Sequence, residues 1–165
     1  MTPEAQLVET VKLTAAKFER SAAAAEFDPW VVTGGVLMAQ QAAVIALRAA
    51  GDSIPAQAGG TELLLRAAAK DRLPPPFTLP FGAAARQSFD RLVEARNAFM
   101  HPRGLTWHVS AETLSRGMPV AAKVVRHLIL TQPILNDLVS PGEQVELAAG
   151  LDGIESSAAF LDEGY

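Results

Sequence analysis

Residues 83–102, AAARQSFDRLVEARNAFMHP, decide how this chain is read, because helical periodicity and chemically able side chains coincide there. At about 100° per residue, Phe89, Leu92, Val93, Phe99 and Met100 fall on one apolar stripe, with Asp90, Glu94, Asn97 and His101 along the neighbouring polar flank. Arg96 falls inside the apolar stripe. A guanidinium is almost never fully buried without a partner, so Arg96 either reaches a carboxylate on another helix or lines a cleft or a dimer seam. The helix is expected to end near His101, since Pro102 disfavours helical geometry in the residue before it and has no amide hydrogen for the ladder. Asn97 and His101 share a face, whereas Arg96 and His101 start roughly 140° apart around an ideal helix. Only the long reach of arginine and the loosened end at Pro102 bring those two onto one ligand.

Composition sets the frame. A chain of 165 residues suits one domain with a real core, and 49% hydrophobic against 19% charged residues argues for a folded chain rather than a disordered one. The absence of cysteine excludes disulfides, thiolate metal sites and thiol nucleophiles. The N-terminus, MTPEAQLVETVKL, lacks the basic and apolar regions of a signal peptide, and the reading is cytoplasmic. Residues 31–50 are the most lipid-like, but Gln40, Gln41 and Arg48 interrupt them, so a buried central helix is expected rather than a membrane span. The formal charge is −4; removing the six acidic residues that follow Ser140, where no lysine or arginine occurs, leaves the first 139 residues at +2. That is far below the charge of a dedicated duplex-DNA binder and is compatible with transient RNA contact.

The expected fold is all-α: a single-domain antiparallel bundle of about five helices over residues 1–139, followed by an acidic, flexible tail over 140–165, with docking of residues 145–151 as the alternative. Thr2, Pro3 and Glu4 start a first helix to about Phe27, with Leu7, Val11, Leu13, Thr14 and Phe18 on its apolar side. Asp28-Pro29 starts a second, running to about Ala50 and stopped by Gly51-Asp52; Gly34-Gly35 within it suggest close approach by another helix, the alternative being a helix that starts only after them. A short third helix spans 61–71 with Leu63, Leu64 and Ala67 inward; Pro74, Pro75, Pro76 and Pro80 impose an extended, mobile connection before the 83–101 helix. Ser110 and Glu112 start the last, broken near Gly117-Met118-Pro119 and kinked at Pro133, with Ile134, Leu135 and Leu138 apolar beyond it. The second and fourth helices are placed at the centre.

Arg96-Asn97-Ala98-Phe99-Met100-His101 resembles the signature of the HEPN superfamily, an arginine followed by a polar residue, usually Asn, Asp or His, with a histidine after a spacing of about four to six residues. Residues 39–49, AQQAAVIALRA, are similar to an earlier apolar helix of that family; Val44 stands where many relatives carry an acidic residue, which removes a candidate partner for Arg96. In architecture the resemblance covers residues 1–138, and only the six-residue motif is specific. It implies a HEPN-like helical domain, a homodimer with the motif lining the shared cleft, and metal-independent cleavage of single-stranded RNA by Arg96, Asn97 and His101. It also implies a toxin or defence role, with an antitoxin protein among the partners to be expected.

The residues suit that chemistry. RNA supplies its own nucleophile in the 2′-hydroxyl, so cleavage needs a base, an acid and stabilisation of charge on the phosphorus, with no metal or cofactor. Histidine, with an ordinary pKa of about 6.5, suits the proton transfers; Arg96 would hold the phosphate, and Asn97 would orient either His101 or the phosphate. One histidine per chain cannot easily be both base and acid, and a two-fold dimer supplies the second. Arg103, Trp107 and His108 follow in a turn close to the motif and are candidate substrate-binding residues. The alternative is a non-catalytic helical module for dimerisation or for binding a protein or ligand, with Arg96 a paired structural arginine, His101 a helix cap, and His108 and His127 surface or core fillers.

Overall fold

Four side-chain caps set where helices begin. Thr2 accepts the Ala5 amide, Asp28 that of Trp30, Ser110 that of Thr113 and Ser140 that of Glu143, at 3.1, 2.9, 3.1 and 3.3 Å. The computed structural model describes residues 1–101, 103–104, 106–131 and 139–164. Among these are six helices and no strand: α1 (Pro3–Ala24), α2 (Pro29–Ala49), α3 (Gly60–Ala67), α4 (Ala83–Met100), α5 (Ala111–Val125), prolonged by a π-helical turn (Arg126–Leu130), and α6 (Pro141–Glu163). The all-α expectation holds, with six helices in place of about five.

α2 is the axis of the bundle, packed against α1, α3, α4 and α5. It is long and apolar enough to cross a membrane by length and composition, and here it is largely enclosed by the other helices. Its two glycines permit this. A Cβ on Gly34 would collide with Thr14 Oγ1 of α1, and one on Gly35 would lie 2.5 Å from Met118 Sδ of α5 and 3.3 Å from Leu92 of α4. Close approach at Gly34-Gly35 is thus realised on both sides of the helix. α2 runs antiparallel to α1, with Thr14 beside Gly34 and Lys17 paired to Asp28, and antiparallel to α4, with Trp30 beside Phe99.

Several expectations need correction. The acidic tail is not free: α6 begins with a capping box, Ser140 and Glu143 each serving the other's amide, and buries Leu147, Leu151, Ile154, Ala158 and Leu161 against α1 and α5. That spacing keeps the apolar residues on one helical face. α6 also lies parallel to α1, Val11 beside Gly150 and Ala15 beside Gly153, so the bundle is not wholly antiparallel. Secondly, α4 is peripheral. Only Phe89 and Leu92 are buried on it, Met100 is 50% exposed, and α5 takes the central place beside α2. Thirdly, α5 passes unbroken through Gly117 and Pro119. Proline removes one ladder bond, but Leu114, Met118, Ala121 and Ala122 are all buried, and a Gly117 Cβ would lie 3.1 Å from the Ser88 carbonyl, so packing favours the continuous helix.

Lastly, the proline-rich connector is folded rather than extended. Leu73 and Leu79 enter the core, the Leu79 amide reaches the Ala67 carbonyl at 2.9 Å, and Phe77 closes a turn on Pro74. α3 stops at Ala67, short of Asp71, because the chain must turn there to deliver Leu73. Leu13, placed on the apolar side of α1, is instead 57% exposed. The expected end of the 83–101 helix is realised, α4 giving way at His101, while the Pro133 kink and the apolar positions Ile134, Leu135 and Leu138 lie outside the described residues.

Asp52 ties the loop after α2 to α3 and the turn behind it. Its carboxylate, 5% exposed, accepts from Arg72 at 2.7 Å and from Arg66 at 3.2 Å. Burial pushes this carboxyl up, but the hydrogen bond from Arg72 and the charges of Arg66 and Arg72 outweigh burial and hold it below the ordinary value. Its stabilisation is therefore complete above the unfolded aspartate value of about 3.9 and is lost as pH falls through the lower folded value. In urea midpoints measured against pH, Asp52→Asn should lower stability at neutral pH and flatten this acid limb.

Two further outcomes follow from the packing. Gly34→Ala should cost about 1–3 kcal/mol in chemical denaturation despite alanine's better helix propensity. Adding Thr14→Ala should recover only part, since Thr14 Cβ itself stands 3.1 Å from the new methyl. Ending the chain before Ser140 should abolish the cooperative thermal transition seen by circular dichroism, and Leu151→Ala in the full chain should cost about 2–5 kcal/mol.

Candidate functional site

The last ladder bond of α4 runs from the His101 amide to the Asn97 carbonyl at 2.9 Å, and at His101 (φ −127°, ψ 68°) the chain leaves helical geometry. The following loop folds back along the helix. Trp107 holds it there: its indole N–H donates to the Ala95 carbonyl at 3.0 Å, and its ring meets Phe99 edge to face at a centroid distance of 5.7 Å. Phe99 in turn meets Trp30 of α2, also at 5.7 Å. Each such aromatic pair contributes about 0.5–1.5 kcal/mol beyond area burial, so a ladder of three rings links the central helix to the loop.

Between the loop and the end of α4 lies a cavity of about 680 Å³ lined by Asn97, Phe99, His101, Arg103, Trp107 and His108, among others. Its volume is within the range of small-ligand sites, about 300–1,000 Å³. The apolar surface comes from the aromatic rings and Ala98; the polar groups include an amide, two imidazoles, a guanidinium and the Thr106 hydroxyl. No carboxylate occurs among the described lining residues. Five of the six residues singled out in the sequence, namely Asn97, His101, Arg103, Trp107 and His108, therefore meet in one place.

Arg96 does not line this cavity. Its Nε donates to Asn97 Oδ1 at 3.0 Å, and no ion pair joins it to a carboxylate among the described residues. Nor is it buried in an apolar stripe, because the C-terminal half of that stripe packs only partly against the bundle. Consecutive helical residues project about 100° apart, so Arg96 points away from the direction of Asn97 and joins the site only through its hydrogen bond to the Asn97 side chain. The flank residues Asp90 and Glu94 stay out of the site: Asp90 accepts from Thr61 at 2.6 Å, and Glu94 is exposed. His127 is half-buried at the π-helical turn, 3.3 Å from the Phe77 carbonyl. No group of three metal-ligating side chains forms among the described residues.

Phe99 and Trp30 were not singled out as site residues, Phe99 reading as core and Trp30 as part of a helix start. Tryptophan occurs only twice in the chain, and both copies contact the one phenylalanine of the motif. Comparison with known proteins returns no family model, no curated protein and no solved structure that matches this chain.

Trp107→Phe should keep the aromatic contact with Phe99 and lose the hydrogen bond to Ala95. A stability decrease of about 1 kcal/mol is expected in urea denaturation, with helical circular dichroism unchanged.

Proposed function

We propose that the protein is a metal-independent RNA endonuclease of HEPN type that works as a cytoplasmic homodimer, with Arg96, Asn97 and His101 as its catalytic residues. The observation that carries this reading is the convergence of Asn97, His101, Arg103 and His108 on one carboxylate-free cavity, with an Arg96 guanidinium beside it that has no ion-pair partner among the described residues. Such a constellation attracts a phosphodiester. His101 of one copy takes the proton of the 2′-hydroxyl, whose oxygen attacks the adjacent phosphorus; the 5′-oxygen departs with a proton from His101 of the other copy. The products are a 2′,3′-cyclic phosphate and a 5′-hydroxyl. Arg96 offsets the charge that develops on the phosphoryl oxygens, and Asn97, bonded to it, fixes its direction.

A second copy is supported by exposed apolar surface near the site: Trp30 is 52% and Met100 50% exposed, and Leu13 and Leu37 continue the patch along α1 and α2. Contiguous exposed apolar side chains of this kind mark contact surfaces. A toxin held in check by an antitoxin protein is the biological role this reading favours. The second reading, a helical binding module without catalysis, is favoured by the position of Arg96 outside the cavity lining.

Purified protein with single-stranded RNA in excess chelator separates the two. The enzyme reading expects cyclic-phosphate products, reduced about 10²- to 10⁴-fold in rate by His101→Ala and strongly reduced by Arg96→Ala. No cleavage by the wild-type dimer at any pH between about 5 and 9 leaves the module.

A further inference from the structure

We infer that the cavity at the end of α4 is a base-binding subsite, in which one unpaired nucleobase of an RNA strand stacks on Trp107 while the adjoining phosphate lies toward His101 and Arg103. This rests on the RNA reading above and adds to it the element that decides which strands can enter.

Three observations carry it. The indole is held before any ligand arrives, by its bond to the Ala95 carbonyl and its edge-to-face contact with Phe99, yet Trp107 is only half-buried and lines the cavity. A fixed, accessible indole is a stacking platform, and stacking accepts any base because every base has a π-face. The cavity, at about 680 Å³, is far larger than a phosphate requires, and its walls of Ala98, Phe99 and Trp107 suit a planar heterocycle rather than an ion. The Arg103 guanidinium and the imidazoles of His101 and His108 come from the same short stretch of chain as the platform, and no described lining residue is acidic. Groups suited to a base and groups suited to a phosphate thus line the same cavity. A base inside a duplex is already stacked and paired, so only an unpaired or extruded base can enter.

The test uses the full chain carrying Trp30→Phe, which leaves Trp107 as the sole tryptophan, and two hexamers that cannot be cleaved at the 2′ position. One is 2′-O-methyl hexa-adenylate; the other is an abasic oligomer with the same number of phosphates. Stacking predicts quenching of Trp107 fluorescence by the adenylate alone and an affinity about 5- to 150-fold above that of the abasic oligomer. Trp107→Phe should keep most of this preference and Trp107→Leu should abolish it, which separates stacking from the structural bond to Ala95. Equal affinity for the two oligomers, binding of neither, or an unchanged preference in Trp107→Leu overturns the inference. Its fate is distinguishable from that of the nuclease reading: base-dependent quenching by a protein that never cleaves RNA leaves the subsite standing, and cleavage without base preference removes the subsite alone.

Discussion

Two absent side chains on α2 govern how tightly this bundle closes. At Gly34 the helix admits Thr14 of α1, and at Gly35 it admits Met118 of α5 together with Leu92 of α4. Glycine is costly inside a helix, by about 1 kcal/mol each relative to alanine. The return is contact on three sides of one axis, so that buried residues of α1, α2, α4 and α5 join a single core. Gly150 against Val11 and Gly117 against Ser88 repeat the device where α6 meets α1 and α5 meets α4. Small residues at crossings let backbones approach until the flanking branched side chains interlock.

That geometry also decides why α4 is available for chemistry. With only Phe89 and Leu92 buried, its C-terminal half packs only partly against the core, through Leu92, Val93 and Ala95. What holds this half in place is aromatic: Trp30 from the central helix, Phe99 from α4 itself and Trp107 from the returning loop. The ladder positions the His101 backbone and the loop carrying Arg103 and His108 without occupying the space between them. Rigid apolar support beneath a cluster of cationic and neutral donors is the arrangement that keeps polar groups oriented while leaving them accessible.

Local chemistry made much of the fold legible. Thr2, Asp28 and Ser110 begin helices where their cap positions say they should, and the glycine pair announces a close crossing. The Ser140-Pro141-Gly142-Glu143 capping box and the run Leu147, Leu151, Ile154, Ala158, Leu161 were equally present. Net negative charge masked them, because acidic residues on the outer face of a helix and in a free tail look alike in composition. In the folded chain Lys12 pairs with Glu146, and Arg126 with Asp152 and Glu155, so three of those acidic residues join α6 to its neighbours. The extended reading of residues 74–80 failed for a similar reason: polyproline geometry is a local preference, and burial of Leu73 and Leu79 overrides it.

By itself the sequence determined the all-helical class, most helix starts, the end of α4 at His101 and the presence of Asn97, His101, Arg103, Trp107 and His108 within a short span. These follow from caps, prolines and helical period, which act over a few residues. Tertiary structure alone decided that α6 docks parallel to α1, that α5 rather than α4 shares the centre with α2, and that Arg96 flanks the cavity instead of lining it. Those outcomes depend on which surfaces exclude water together. A guanidinium on an apolar stripe takes its meaning from whether that stripe is covered, and coverage is a property of the assembled bundle, not of the helix.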